Sequence, residues 1–253
     1  MISFAWLLVS SSSSSVFAFS PMKSSVLRSS PSIPSTTALH MAGTLTLYGH
    51  PGTRSPLVNW GALEVGLDIT MGNLRNNPHP FGQLPCLTDD DGSVLLFESG
   101  AILQYFHQLT KEKLNLSKAD AAMIMSWITW ANASLDPICF LETPEGRVYD
   151  TGLKRPNKRI DRLNEILAEQ SYLIGDTFTL ADVAVASYLL YVVQFFPDTD
   201  LSRWPHVMRY MNDCATRPTY GQAFGQDEQA YILSRLSPQD ENAPSKKNFF
   251  GMF

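Results

Sequence analysis

A chain of 253 residues has room for one large domain or two modest ones at about 150 residues each, and with 44% hydrophobic and 17% charged side chains it is too apolar to stay disordered. The 19 basic and 24 acidic residues leave a net charge of −5, the wrong sign for affinity that rests on neutralising phosphates, which argues against nucleic acid as a partner. No apolar run reaches the roughly 20 residues of a membrane-spanning helix. Cys86, Cys139 and Cys214 lie far apart without a CxxC pair, so neither a disulfide framework nor a zinc site is indicated.

Residues 1–42 stand apart from the rest. They hold fourteen serines and no acidic residue, whereas all 24 Asp and Glu lie from Glu64 onward. A short apolar stretch, Phe4 to Val9, is followed by small residues and then by a Ser/Pro-rich segment carrying Lys23 and Arg28. The first part reads as a signal peptide and the second as a transit peptide. Joined at Val16-Phe17-Ala18-Phe19-Ser20-Pro21, they resemble the two-part presequence of algae whose plastid is reached through the secretory pathway. A plastid address follows, with a cytoplasmic location as the alternative.

The run Thr44 to Gly49 alternates apolar and polar and predicts a strand, and residues 54–66 carry Leu57, Trp60 and Leu63 at helical spacing before Gly66. A short strand is expected at 67–71, followed by an Asn/Pro-rich segment without regular structure. Pro85–Thr88 and Ser93–Phe97 flank Asp89-Asp90-Asp91-Gly92 and predict a hairpin, after which Glu98–Leu109 has one apolar helical face. The order β-α-β then β-β-α is that of a thioredoxin-like half. Beyond a polar connection only helices are expected, over 119–135, 158–171, 179–194 and 203–217, with a loop at 142–157 and a polar tail from Gln226. The predicted fold class is therefore α/β plus all-α. Its expected divisions are a presequence at 1–42, a thioredoxin-like domain at 43–110, an all-helical domain at 117–225 and a tail at 226–253.

The segment FGQLPCLTDDDGSVLLFESGAILQY and, at the appropriate distance, Gly175-Asp176-Thr177-Phe178-Thr179-Leu180-Ala181-Asp182 resemble the glutathione S-transferase family, and TRSPLVNWGALEVGL is most similar to its cyanobacterial-type (chi-like) members. The resemblance covers residues 44–225 and implies glutathione as co-substrate. A cis bond at Leu84-Pro85 would leave the Leu84 backbone unpaired at a sheet edge, where an extended peptide can pair. In the family the residue before this proline makes that contact with glutathione, and Gln83 is placed to donate as well. Glu98-Ser99 opens a helix whose free N–H groups attract a carboxylate. The resemblance assigns the γ-glutamyl carboxylate to Ser99 and the ammonium to Glu98; the alternative is simple helix capping. Thr179 and Asp182 read as a structural capping box.

For thiol activation, the family presents a hydroxyl or a cysteine at the first strand-to-helix turn, which here is His50-Pro51-Gly52-Thr53-Arg54-Ser55, without cysteine. A thiol with pKa about 8.5 is roughly 3% ionised at pH 7, so full ionisation gains about thirty-fold, within reach of one hydrogen bond to the thiolate. Thr53, Arg54 and Ser55 are the candidates, with Tyr48 a fourth and the helix amides the simplest alternative. The helix that the family usually places before Pro85 is absent; Arg75 and His79 stand in that segment, more naturally as solvated loop residues than as ligands of the glycyl carboxylate. The histidines lack partners at metal-ligand spacing, so no metal is expected. Trp127 and Trp130 read as core, and the sequons at Asn115 and Asn132 carry no functional glycan.

The function expected is therefore a glutathione transferase that conjugates or reduces small electrophiles with bound glutathione thiolate. The alternative is a non-catalytic ligand-binding or protein-interaction module of the same fold; glutaredoxin-like oxidoreduction lacks the cysteine it needs. The resemblance also implies a homodimer, with neither nucleic acid nor membrane as partner.

Overall fold

The computed structural model describes residues 44–110 and 116–236. The expected presequence, the Asn115 sequon and the chain end therefore lie outside the described residues. The first half contains β1 (Leu45–Tyr48), α1 (Ser55–Val65), β2 (Ile69–Met71), β3 (Cys86–Thr88), β4 (Leu95–Phe97) and α2 (Ser99–Thr110). The sheet order is β2-β1-β3-β4, with β1 parallel to β2 and antiparallel to β3, and β3 antiparallel to β4. Leu45, Leu47 and Leu87 point inward from adjacent strands and are buried. Helix α1 stops at Gly66, which adopts φ 68°, a left-handed cap for which glycine carries no Cβ penalty.

The second half comprises α3 (Lys118–Trp130), a π-helical turn (Ala131–Leu135), α4 (Asp136–Cys139), β5 (Leu141–Glu142), β6 (Val148–Asp150), α5 (Lys158–Glu169), α6 (Leu180–Phe195), α7 (Pro205–Ala215), α8 (Pro218–Phe224) and α9 (Gln226–Leu236). Three features depart from the sequence-based expectation. The segment expected as a loop at 142–157 contains the β5–β6 hairpin, closed by Gly146 at φ 78°. The helix expected at 203–217 does end before Pro218, but a further helix not expected from the sequence, α8, opens at that proline, where its missing N–H costs nothing. Residues 226–236, expected as polar tail, form α9, which buries Ile232 and Leu236 in the core.

Helix α6 is the central post of the helical half, with buried residues around its whole circumference. Its N-terminus carries the capping box: the Asp182 carboxylate accepts from the Thr179 N–H at 2.8 Å and the Leu173 N–H at 2.9 Å, and Thr179 Oγ1 accepts from the Ala181 N–H at 3.2 Å. Burial outweighs these donors and pushes the Asp182 carboxyl up to about 6. A folded-state value above the unfolded one means that the group's contribution to stability is full below about pH 4 and is lost as pH rises through 6, a change of about 3 kcal/mol. Denaturant melts of the wild-type chain and Asp182→Asn at pH 4 and pH 7 check this: the difference between them is expected to move against the wild type as pH rises.

Helix α1 joins the two halves. Trp60 is fully buried, edge-on to Tyr220 at 5.2 Å and Phe224 at 6.1 Å between ring centroids. A Cβ at Gly61 would collide with Leu103, so glycine lets α1 and α2 approach closely. At the end of α1 the Glu64 carboxylate, 7% exposed, accepts from Arg217 Nε at 2.7 Å, Arg217 Nη2 at 2.6 Å and Trp60 Nε1 at 2.9 Å, and from the Thr219 hydroxyl. The Arg217 guanidinium also lies 3.8 Å above the Phe178 ring.

Candidate functional site

Strand register collects the sequence-predicted site residues at one end of the sheet. Tyr48 pairs with Cys86, and Cys86 with Phe97. One step beyond, the start of the β1–α1 turn, Pro85 and Glu98 therefore share an edge. The Leu84–Pro85 bond is cis, and among the described residues neither the N–H nor the C=O of Leu84 is hydrogen-bonded. This is the unpaired edge that an extended peptide requires. Gln83 is exposed, and its carbonyl accepts from Asn77 Nδ2 at 2.9 Å, which braces the loop from below.

That loop contains one 3-10 turn, Leu74–Asn76, in place of a helix. Arg75 is exposed, as expected of a solvated loop residue, but His79 is not: it is 7% exposed, its ring lies 4.9 Å from that of Phe97, and Nδ1 accepts from the Phe81 N–H at 3.0 Å. Its aromatic contact with the end of β4 makes it the loop's anchor rather than a ligand group.

Glu98 adopts φ 67°, the one non-glycine residue with positive φ among the described residues. An L side chain in this region costs on the order of 1 kcal/mol. The kink carries the chain from β4 into α2 and leaves the first amides of that helix pointing out of its end. Ser99 follows, 2% exposed. Directly behind it, a Cβ on Gly100 would come within 2.9 Å of Asn132 Oδ1, and Asn132 Nδ2 donates to Ser99 Oγ at 3.4 Å.

The turn before α1 is closed by its own hydroxyls. Thr53 Oγ1 donates to the His50 carbonyl at 2.8 Å, accepts from the Ser55 N–H at 3.2 Å and lies 2.7 Å from Ser55 Oγ. Ser55 Oγ accepts from the His50 N–H at 3.1 Å and is sealed from solvent, Ser55 being 3% exposed. Gly49 is required here, because a Cβ would fall 2.6 Å from that of Ser55. Thr53 is half-buried, so of the two hydroxyls it is the one nearer the surface. Tyr48 lies against Gly72, past the end of β2.

Arg54 is committed to the other half. Its Nη2 donates to Asp136 Oδ1 at 2.5 Å, and its guanidinium lies 5.5 Å from the ring centres of both Phe140 and Tyr188. Burial alone would lower the Arg54 pKa, but Tyr188 and Asp136 outweigh it and the net direction is upward. The pairing does not bring Asp136 below the usual carboxylate range. Burial, with the charges of Glu142 and Glu98, outweighs Arg54 and holds it above. Tyr191 completes the bridge by donating its hydroxyl to the Thr53 carbonyl at 3.2 Å.

Asn132, Asp136, Tyr188 and Tyr191 are thus site residues that sequence reasoning missed. The signal for Asp136 is its place before Pro137, where a long helix is re-set through a π turn. The two tyrosines sit in the most apolar helix and read from sequence only as core. Among the described residues no group of three His, Cys, Asp or Glu side chains converges as a metal site would require, and no helix is long and apolar enough to cross a membrane.

Comparison with known proteins agrees with this geometry. The family model for the glutathione S-transferase C-terminal domain matches residues 115–218. Glutathione S-transferase 1 of Zea mays is 33% identical over 157 residues, 56% of this chain and 72% of that protein. Elongation factor 1-gamma of Prunus avium is 28% identical over 183 residues, 66% of this chain but only 43% of that relative. Among solved structures, the theta class glutathione S-transferase of Xanthomonas axonopodis pv. citri, with glutathione bound, has a TM-score of 0.56 at 23% identity, covering 72% of this chain and 97% of its own; that likeness concerns the fold. The mixed sheet followed by a helical half, the cis-proline edge, the kinked start of α2 and the maize relative together place this chain in the glutathione S-transferase family.

Proposed function

We propose that this protein is a glutathione transferase that presents bound glutathione thiolate to small electrophiles. The observation that carries the reading is the convergence, at one end of the sheet, of an unpaired Leu84 backbone beside cis-Pro85 with the free amides of α2 at Ser99. The cysteinyl backbone of glutathione pairs with Leu84, with Gln83 beside it. The γ-glutamyl carboxylate docks on Ser99 and the α2 amides, and its ammonium on Glu98. The thiol then lies toward the β1–α1 turn. Catalysis there is stabilisation of the thiolate and proximity of the acceptor, without a covalent enzyme intermediate.

Of the candidates at the turn, Arg54 is tied to Asp136, and Ser55 is sealed. Thr53 is favoured. The Thr53 proton, which bonds the His50 carbonyl at 2.8 Å, turns to the thiolate when glutathione binds, while Thr53 Oγ1 goes on accepting from Ser55. Thr53→Val is expected to raise the pKa of the bound thiol by about 1–2 units, the equivalent of one charge-assisted hydrogen bond, with the dissociation constant changed less than about three-fold. Thr53→Ser is expected to restore it. Ultraviolet titration of the thiolate, beside calorimetry of glutathione binding, checks both; an unchanged thiol pKa in Thr53→Val rules Thr53 out.

The non-catalytic module of the same fold is the second reading, favoured by the missing helix before Pro85 and by hydroxyls that bond one another. Absence of glutathione binding by the folded chain would select it. Two further elements belong to the proposal: a homodimer, supported by the 74% exposed Phe81 beside the sheet, and a plastid address, supported by the acid-free leader. Sedimentation velocity tests the first, and imaging of a fluorescent fusion tests the second.

A further inference from the structure

One carbonyl of the β1–α1 turn finds its donor in the other half of the chain. The residue three after Thr53, whose N–H would close a turn on the Thr53 carbonyl, is Pro56, which has no N–H to offer. Among the described residues no backbone N–H donates to that carbonyl. Its donor is instead the Tyr191 hydroxyl, at 3.2 Å and 138 residues away on α6. The Tyr191 ring is locked in place: it is 4% exposed, stacks on Phe195 at 5.7 Å with 13° between the planes, and lies 5.7 Å from Phe224 and 6.4 Å from Phe140 between ring centroids. Burial chiefly pushes the phenol up and away from the working pH, so Tyr191 stays protonated and remains a donor.

We infer that Tyr191 is a positioning residue for thiol activation: its hydroxyl stands in for the N–H that Pro56 lacks and fixes the peptide unit between Thr53 and Arg54. A carbonyl without a donor leaves its peptide plane free to rotate about the two soft dihedrals beside it. The contacts of Thr53 Oγ1 span that plane, because it donates to the His50 carbonyl at 2.8 Å on one side and accepts from the Ser55 N–H at 3.2 Å on the other. Rotation therefore loosens the turn that aims the Thr53 hydroxyl. The same peptide carries the Arg54 N–H, which has no hydrogen bond among the described residues and which, in a trans peptide, points opposite to the fixed carbonyl. Both the hydroxyl and the amide that this turn can offer a thiolate thus take their direction from the helical half. Tyr191, being buried, acts through Thr53 and does not touch the ligand.

Since this role rests on the proposal that the glutathione thiol lies at the β1–α1 turn, the full chain is tested with and without glutathione. Tyr191→Phe, which keeps the ring in its stack, is expected to raise the pKa of the bound thiol by about 0.5–1 unit in an ultraviolet titration, with the dissociation constant changed less than about two-fold. In a Pro56→Ala background, where residue 56 again offers an N–H, the same substitution is expected to shift the thiol by less than half as much. In the ligand-free protein, amide exchange at Thr53 and Ser55 is expected to quicken about three- to ten-fold in Tyr191→Phe. Faster exchange with an unchanged thiol pKa would make Tyr191 a structural strut and overturn the positioning role. An equal shift in both backgrounds, or no change in either readout, overturns it as well. If the wild type binds no glutathione, the proposed glutathione site itself fails and the activation role with it, a result distinct from intact binding with an unmoved thiol, which strikes the role of Tyr191 alone.

Discussion

Ser99→Ala is expected to weaken glutathione about ten- to a hundred-fold while the protein stays folded. A hydrogen bond to a charged ligand group contributes on the order of 1.5–3 kcal/mol, and in the proposed complex its partner is a carboxylate desolvated at a helix end. The serine is 2% exposed and sits directly after the Glu98 kink, so removing Oγ leaves the backbone path intact and strips one donor from the site. The α2 amides remain, which is why binding is reduced rather than abolished. Calorimetry at several salt concentrations checks this, since the residual binding should be the more salt-sensitive. Binding unchanged by the substitution would place the carboxylate elsewhere.

Glu64→Ala is expected to be the most destabilising single change at the junction of the two halves, lowering the melting temperature by about 6–12 °C. The carboxylate is 7% exposed and gathers Arg217, Trp60 and Thr219. Burial opposes its ionisation, but the hydrogen bonds from Arg217 and Thr219 prevail and hold its pKa below the usual range. Deleting it leaves a partly buried guanidinium without its carboxylate and the Trp60 indole N–H with only its 3.3 Å bond to Thr219 Oγ1, about 3 kcal/mol for a broken pair of this kind, and 1 kcal/mol corresponds to about 2–4 °C in a protein of this size. A double-mutant cycle with Arg217→Ala separates the pair's coupling from the penalty of orphaning each partner. Differential scanning calorimetry provides the measurement, and a fall of less than 2 °C would show that the network is exposed to water in solution.

Much of this arrangement is legible in the amino-acid order because its causes are local. Thr179 and Asp182 lie three residues apart on one turn, and Asp89–Gly92 closes a hairpin between short apolar runs. Leu84-Pro85 and Glu98-Ser99 carry their chemistry in adjacent positions. The rest depends on partners far along the chain. Arg54 reads as a free cation at the turn until Asp136, 82 residues away, claims it. His79 reads as solvated because the ring it packs against, Phe97, belongs to a later strand. Tyr188 and Tyr191 are indistinguishable from core residues in an apolar helix, and only the tertiary fold shows that the Tyr191 hydroxyl reaches the β1–α1 turn and that the Tyr188 ring lies beside Arg54. The β5–β6 strands, two and three residues long, are too short for alternation to register.

The position of α1 has a consequence for how this protein comes apart. Trp60 and Glu64 bind it to α8, while Gly61 seats it on α2. A helix held from both sides cannot leave with one half, so neither half keeps a closed core once the other opens. The chain should therefore open as a single cooperative unit, and amide exchange in α1 should follow global unfolding rather than breathing of the sheet beside it. A fragment ending at residue 110 would expose the Trp60 ring and an unpaired Glu64, and would collect in aggregates instead of persisting as an isolated N-terminal domain.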